Sequence, residues 1–188
     1  MSSKIITNSQ LDLSKCIVMD AHLLKTYRAC QRKFQLFEEL HIVPKAKKAA
    51  PSFGIAMHEG IASYRLAKKA GKLYPEAFQA GAKSLLSAYK KHMPPESLAE
   101  VMQDDRRSPA NALRIYEGYC QHYEPQGLKF HHVEVPFAMH IGEITVLEPA
   151  LGYVVKDVVY VGIIDAVLEM QSRIYINDLK STAYSINQ

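Results

Sequence analysis

The chain has 188 residues, of which 48% are hydrophobic and 22% are charged. These proportions are typical of a globular domain with a core, and they exclude a disordered or fibrous chain. No apolar run approaches the roughly 18 residues that a membrane-spanning helix needs, and the N-terminal segment MSSKIITNSQLDLSK lacks the apolar core of a secretory signal. We therefore expect a cytoplasmic protein without a membrane partner.

The positive and negative charges are unevenly distributed along the chain. Residues 1–130 carry 20 Lys and Arg against 12 Asp and Glu, whereas residues 131–188 carry 3 against 7, and the whole chain has a net charge of +4. A basic portion beside an acidic one suits the binding of a polyanion by the first and of a cation by the second. The same imbalance also occurs in proteins that need it only for solubility.

The first 125 residues are predicted to be mainly helical. Apolar side chains recur at intervals of three and four residues, Asp20 and Ser108 are suitable N-caps, and Gly71 suits a helix end. The segment PKAKKAAP, residues 44–51, is predicted to be a basic loop. We expect helices over residues 21–40, 52–69, 75–92 and from 109 to about 123.

After Gly127 the pattern changes to short β-rich runs separated by turns. The runs cover residues 133–137, 153–155, 158–170 and 173–178. We therefore predict an α+β fold in which N-terminal helices precede an antiparallel or mixed sheet. The expected organisation is one domain over residues 1–188, with a mainly helical part (1–125) and a sheet part (126–188).

The last two runs predict a pair of facing carboxylates. If Gln171 and Ser172 form a two-residue turn, Asp165 lies opposite Asp178, and Lys180 lies on the same face further along. Apolar side chains on that face predict that the pair is partly buried: Val161, Ile163, Val167, Ile174 and Ile176.

Buried like charges must be neutralised by protonation, by Lys180 or by a cation. A divalent cation with oxygen ligands, Mg²⁺ or Mn²⁺, suits two carboxylates. Lys180 beside it could orient or deprotonate a water, or stabilise the charge on a phosphate. The alternative is that Asp165, Asp178 and Lys180 form a salt-bridge cluster on the surface.

Four segments, which occur along the chain in the order of the corresponding motifs, resemble motifs of the PD-(D/E)xK nuclease superfamily, specifically its RecB-like branch, which includes nucleases like those of CRISPR adaptation. GIID is followed thirteen residues later by DLKST, and FGIAMHEG resembles the G-x-x-x-H-E helix motif. TYRACQRKFQL resembles the Y-x-x-C-x-x-K-F segment, and HVEVPF resembles the strand that opens the sheet. The resemblance implies a restriction-endonuclease-like core and a Mg²⁺- or Mn²⁺-dependent deoxyribonuclease, with exonuclease action in recombination, repair or viral DNA processing of a bacterial or virus-infected cell.

Carried over by position, the resemblance implies roles for single residues. His58, Asp165, Asp178 and the backbone carbonyl of Leu179 would bind the metal, and Lys180, Asp165 and Asp178 would be catalytic. Glu59 lies about 100° around the helix from His58, so we expect it near the ligands but not on the ion. Glu134 would either reach the metal through a water or hold the sheet.

Basic residues supply a track for a DNA backbone. Arg28, Arg32 and Lys33, beside the Cys30 segment, could approach the scissile strand, and Lys45, Lys47 and Lys48 follow in the basic loop. Such side chains give affinity without sequence information.

The chain departs from the RecB-like pattern in two ways. The branch continues into a helix with a Q-x-x-x-Y motif, whereas this chain stops at Gln188, so we expect either a fragment or a minimal version for which a partner protein could supply the missing elements. Some relatives hold an iron–sulfur cluster through one Cys like Cys30 and three near the C-terminus; without those three, we expect no cluster, and we expect Cys30 and Cys120 to be buried structural thiols. The alternative function is a catalytically inactive DNA- or protein-binding module on the same fold.

Overall fold

The computed structural model describes residues 12–42, 49–92 and 105–179. Its main helices are α1 (Ala21–Ala29), α2 (Gln31–Phe34), α3 (Ala49–Lys69), α4 (Tyr74–His92) and α5 (Pro109–Tyr123), and its strands are β1 (Ile17–Met19), β2 (Lys129–Glu148), β3 (Gly152–Met170) and β4 (Arg173–Asn177). A π-helical turn, Gln35–Glu39, follows α2. Helices precede the main sheet strands, which confirms the predicted α+β class.

The sheet is mixed, with strand order β1-β3-β2 and with β4 paired to β3. The unpredicted strand β1 runs parallel to β3, with Ile17 beside Val158. β3 and β4 are antiparallel, and Met170 lies opposite Arg173, as the two-residue turn predicts. Gln171 and Ser172 both adopt the left-handed conformation, with φ of 50° and 60°. A two-residue hairpin turn with positive φ at both residues matches the right-handed twist of the two strands.

The chain divides into two compact units. The first comprises Met1–Pro44 and Pro136–Ile163, and the second comprises Lys45–Val135 and Ile164–Gln188. In the second unit, α3, α4 and α5 enclose an apolar core that is rich in aromatic side chains. Its fully or almost fully buried members include Ala56, Met57, Ile61, Tyr64, Leu85, Tyr89, Ala112, Tyr116 and Cys120. One domain over the whole chain stays a prediction.

The predicted helix over residues 21–40 is interrupted at Cys30. Asp20 caps α1 as predicted, since its Oδ1 accepts a hydrogen bond from the Leu23 amide at 2.7 Å. Cys30 then adopts an extended backbone (φ −166°, ψ 110°), and its Sγ accepts from the Lys33 amide at the start of α2. The thiol is exposed, so the expectation of a buried Cys30 is wrong, whereas Cys120 is buried as expected.

The other helix ends follow their local signals closely. α3 begins at Ala49, three residues before the predicted start, because proline is tolerated in the first turn of a helix, where Pro51 lies. Gly71, with φ of 79°, follows its end. α5 begins after Ser108, whose Oγ accepts from the Asn111 amide at 3.1 Å. Of the helices in the described ranges, none has the length and apolar character to cross a membrane.

Close packing between α3 and α4 depends on a glycine two residues after His58. A Cβ atom on Gly60 would lie 2.7 Å from Cβ of Leu85 and 3.3 Å from the carbonyl oxygen of Gly81. Only a residue without a side chain allows this approach. The contact therefore fixes the segment of α3 that carries His58 against the helical core.

Candidate active site

Three side chains from distant parts of the sequence converge in the second unit. His58 comes from α3, Glu134 from β2 and Asp165 from β3. Each offers one ligand atom, and these atoms lie within 4.8 Å of one another. Nδ1 of His58 is 3.7 Å from Oδ2 of Asp165. One imidazole nitrogen and two carboxylates form a donor set that suits a divalent cation such as Mg²⁺ or Mn²⁺.

Asp165 is almost completely buried, with 8% of its surface exposed. The backbone N–H of Leu179 donates a hydrogen bond of 2.5 Å to its Oδ2, the same oxygen that faces His58. The predicted cause of the burial was a surrounding layer of apolar strand residues, and this is wrong: Ile163, Ile174 and Ile176 are each more than 60% exposed. The contacts of the carboxylate are instead with α3 and with the backbone after β4.

Glu134 joins the group through an unusual backbone conformation. Its φ is 52°, a left-handed value that is uncommon for a residue with a side chain and that costs about 1–3 kcal/mol. Burial raises the pKa of Glu134, and the negative charge of Asp165 raises it further, while the positive charges of His58 and Arg65 oppose the rise. Two carboxylates that repel each other in this way are better accommodated when a cation lies between them, so the residues present fit a divalent metal.

Arg65, on α3, is the largest fully buried side chain of the described residues and is 2% exposed. Its Nε donates to the hydroxyl of Tyr119 at 3.0 Å, and its Nη2 donates to Oδ1 of Asn177 at 2.6 Å. Arg65 was not predicted to be a functional residue. Its signal was its spacing: Arg65 lies seven residues after His58, and that interval returns to the same face of a helix.

The structure brings together only part of the predicted site. Asp178 directly follows β4, its side chain is exposed, and it is not in the three-residue group. Lys180 lies outside the described residues. Oε1 of Glu59 lies 3.3 Å from Nε2 of His92, so this carboxylate contacts the end of α4. The roles of Asp178, Leu179, Lys180 and Glu59 stay predictions.

The predicted DNA-contacting residues belong to two segments. Arg28, Arg32 and Lys33 are exposed on α1 and α2 in the first unit. Nη1 of Arg32 donates to Gln35 at 2.6 Å, and the ammonium of Lys33 lies 5.5 Å from the centre of the Phe37 ring. Lys45, Lys47 and Lys48 lie outside the described residues.

A second group of potential ligands lies in the first unit, on β2 and β3. His140, Glu143 and Asp157 also offer ligand atoms within 4.8 Å of one another. Nε2 of His140 is 2.8 Å from Oδ1 of Asp157, and about half of the Asp157 side chain is exposed. This direct hydrogen bond accounts for the closeness of His140 and Asp157 without a metal ion, so substitutions in this cluster are suitable controls.

Comparison with protein families identifies the class. Residues 21–188 match the model of the PD-(D/E)XK nuclease superfamily, and the chain belongs to this superfamily. Membership implies nuclease-type hydrolysis of phosphodiester bonds and binding of nucleic acid, and these nucleases typically use divalent metal ions. No curated protein and no solved structure matched the chain significantly. The RecB-like branch stays a prediction.

Proposed function

We propose that the protein hydrolyses DNA phosphodiester bonds with Mg²⁺ or Mn²⁺ and acts as an exonuclease of the RecB-like type. The observation that carries the proposal is the convergence of His58, Glu134 and Asp165 in a chain of this superfamily. We propose DNA and not RNA as the substrate because of the motif resemblance. The same resemblance is the basis for proposing exonuclease action in recombination, repair or viral DNA processing. We place the activity in the cytoplasm of a bacterial or virus-infected cell.

In the proposed site, His58, Asp165 and Glu134 would hold the cation, and Asp178 and the backbone carbonyl of Leu179 would be its further ligands. The bound cation would lower the pKa of water and offset the negative charge that develops on the phosphate. The hydrogen bond from the Leu179 amide orients the carboxylate of Asp165, which favours binding of a cation at a fixed position. Glu134 is proposed to bind the cation directly, and not through a water molecule.

Lys180 is proposed as the catalytic lysine. It lies two residues after Asp178 in the sequence. Its ammonium group would orient or deprotonate the attacking water, or stabilise the charge on the scissile phosphate. Glu59 neighbours His58 on α3 and contacts His92 at the end of α4, and we propose that it lies near the ligands without contacting the ion.

The DNA backbone is proposed to be bound by basic side chains of two segments, of which those on α1 and α2 are exposed. These are Arg28, Arg32, Lys33, Lys45, Lys47 and Lys48. Because Arg and Lys contact phosphates without reading bases, we expect the protein to bind DNA without preference for its base sequence. This binding should weaken steeply as the salt concentration rises.

The test is cleavage of end-labelled linear DNA, single- and double-stranded, with Mg²⁺ or Mn²⁺ and with a chelator. We expect wild-type activity that the chelator abolishes, and a loss of about 100-fold or more in Asp165→Asn and Lys180→Ala. Asp157→Asn is the matched control, since it removes the same charge from the second cluster, and it should keep wild-type activity. Closed circular DNA should resist an exonuclease and be cut by an endonuclease.

Equal cleavage by wild type, Asp165→Asn and Lys180→Ala would overturn the proposal. Binding of DNA by the wild type without cleavage in either metal would favour the inactive binding module instead. Calorimetry with Mn²⁺ separates the two functions further, because a vestigial site should bind no metal ion.

A further inference from the structure

Arg65 is buried, and it forms no ion pair with a carboxylate of the described residues. Its charge favours the ionised form of Glu134 from a distance, but its two hydrogen-bond acceptors, on Tyr119 and Asn177, are neutral. Its guanidinium carbon also lies 5.7 Å from the centre of the Tyr119 ring and 6.0 Å from that of Phe130. Burying a charge costs free energy even when it is hydrogen-bonded, and an apolar side chain would fill the space at lower cost. Stability alone therefore does not account for an arginine at this position.

The position of Arg65 on α3 relates it to the candidate site. It follows His58 by seven residues, so the two side chains leave nearly the same face of the helix, about 10 Å apart along its axis. His58 faces Asp165 of β3, and Arg65 binds Asn177 of β4. One helix face thus contacts both strands of the hairpin.

Asn177 occupies the point at which β4 ends. It is the last residue of the strand and lies opposite Ala166, the neighbour of Asp165. The next residue is Asp178, and the one after it, Leu179, donates its amide hydrogen to Asp165. The hydrogen bond from Arg65 therefore holds the chain immediately before the residues that are proposed to complete the site.

We propose that Arg65 is a positioning residue of the active site, which acts through Asn177 to set where Asp178 and Leu179 lie relative to His58 and Asp165. This role rests on the proposed function. The planar guanidinium is suited to it because it can lie against the rings of Tyr119 and Phe130 while it donates to Asn177. A lysine, with one nitrogen at the end of a flexible stem, cannot reproduce this geometry.

The test compares two variants that each remove one hydrogen bond of Arg65. Asn177→Leu removes the acceptor that leads to the site, and Tyr119→Phe removes the one on α5. We expect Asn177→Leu to lower kcat by about 10- to 100-fold, with KM within about twofold of wild type, and to weaken Mn²⁺ binding in calorimetry to a similar extent. Tyr119→Phe should lower the melting temperature and change kcat by less than about twofold. Asn177→Asp, which keeps an acceptor for Arg65, should keep most of the activity.

If Asn177→Leu does not fold, the kinetics of Arg65→Lys test the positioning role instead. Arg65→Lys keeps the charge and should still lower kcat about 10-fold or more at unchanged KM. Wild-type kcat and Mn²⁺ affinity in a folded Asn177→Leu or in Arg65→Lys would overturn the positioning role, as would equal losses of kcat in Asn177→Leu and Tyr119→Phe.

The same measurements separate this role from the proposed function. If wild type cleaves DNA and Asp165→Asn does not, the proposed function stands, and the Arg65 variants alone decide the positioning role. If wild type neither binds Mn²⁺ nor cleaves DNA, the proposed function fails and the positioning role fails with it.

Discussion

Oδ2 of Asp165 accepts a hydrogen bond of 2.5 Å from the amide of Leu179 and lies 3.7 Å from Nδ1 of His58. One carboxylate oxygen thus contacts both α3, through His58, and the segment after β4, through Leu179. Because the carboxylate is almost fully buried, its orientation is set by these neighbours and not by solvent. This relationship makes Asp165 the centre of the candidate site.

Glu134→Gln should strengthen the metal-free fold and weaken metal binding. The substitution removes a carboxylate whose pKa burial and Asp165 hold above its usual range, so the repulsion within the site falls. Because Glu134 is partly exposed to solvent, we expect a gain of only about 1–2 °C in the melting temperature at neutral pH. Mn²⁺ affinity should fall by about 10-fold or more.

The two effects are measured by thermal unfolding in chelator and by calorimetry with Mn²⁺. Glu143→Gln, in the second cluster, is the matched control and should leave Mn²⁺ affinity unchanged. A Glu134→Gln protein that binds Mn²⁺ as tightly as wild type would remove Glu134 from the set of ligands.

Gly60→Ala should destabilise the helical core. The added Cβ would lie 2.7 Å from Cβ of Leu85, and a clash of this kind in a packed core costs about 1–3 kcal/mol. Gly118→Ala, on α5, is the matched control because nothing lies within 4 Å of its added Cβ. There the better helix propensity of alanine should stabilise the protein by about 0.5–1 kcal/mol.

Urea unfolding measures both free energies. The two variants should therefore shift the midpoint in opposite directions. Equal shifts would show that α3 and α4 are not in the close contact described at Gly60.

Stability should depend on pH through Glu124. Burial alone would raise the pKa of Glu124, but hydrogen bonds from Lys68 and Tyr64 and the positive charge of Lys68 hold it below its usual range. The ionised form is thus favoured in the folded state. Its contribution is complete above the unfolded pKa of about 4.3 and is lost as the pH falls through the lower, folded value.

Comparison of wild type with Glu124→Gln checks this prediction. The difference in unfolding free energy should be at most about 1 kcal/mol near pH 7, because the ion pair is partly exposed, and it should shrink as the pH falls below the unfolded pKa of about 4.3. A difference that stays constant over this range would mean that the charge of Glu124 contributes nothing.

The β3–β4 turn offers a stabilising substitution. Gln171 and Ser172 both have positive φ, which Asn and Gly adopt at lower cost. Replacing the pair by Asn and Gly should raise the unfolding free energy by about 0.5–1 kcal/mol without changing DNA cleavage. A lower stability would indicate a different turn, and hence a different register for Asp165.

Local patterns predicted the elements better than the connections between them. The register of β3 and β4 followed from turn length and alternation, and capping residues marked α1 and α5. The break at Cys30 was missed because the apolar period continues through it. Strand β1 was missed because three residues carry little periodic signal and pair with residues 141 positions later in the chain.

The site was predicted where spacing or motif resemblance pointed to it, as for His58 and Asp165. The closeness of Glu134 to His58 and Asp165 could not be predicted from strand alternation, because the left-handed backbone of Glu134 departs from the regular strand. Arg65 was missed because a lone arginine in a helix is usually solvated, and only the tertiary fold shows that Tyr119, Phe130 and Asn177 surround it.

The most direct test of the central hypothesis is an anomalous-scattering map from a crystal soaked in Mn²⁺. We predict one strong peak within about 2.0–2.5 Å of ligand atoms of His58, Glu134 and Asp165, which disappears in Asp165→Asn. No peak among these three side chains, or one found only beside His140 and Asp157, would contradict it.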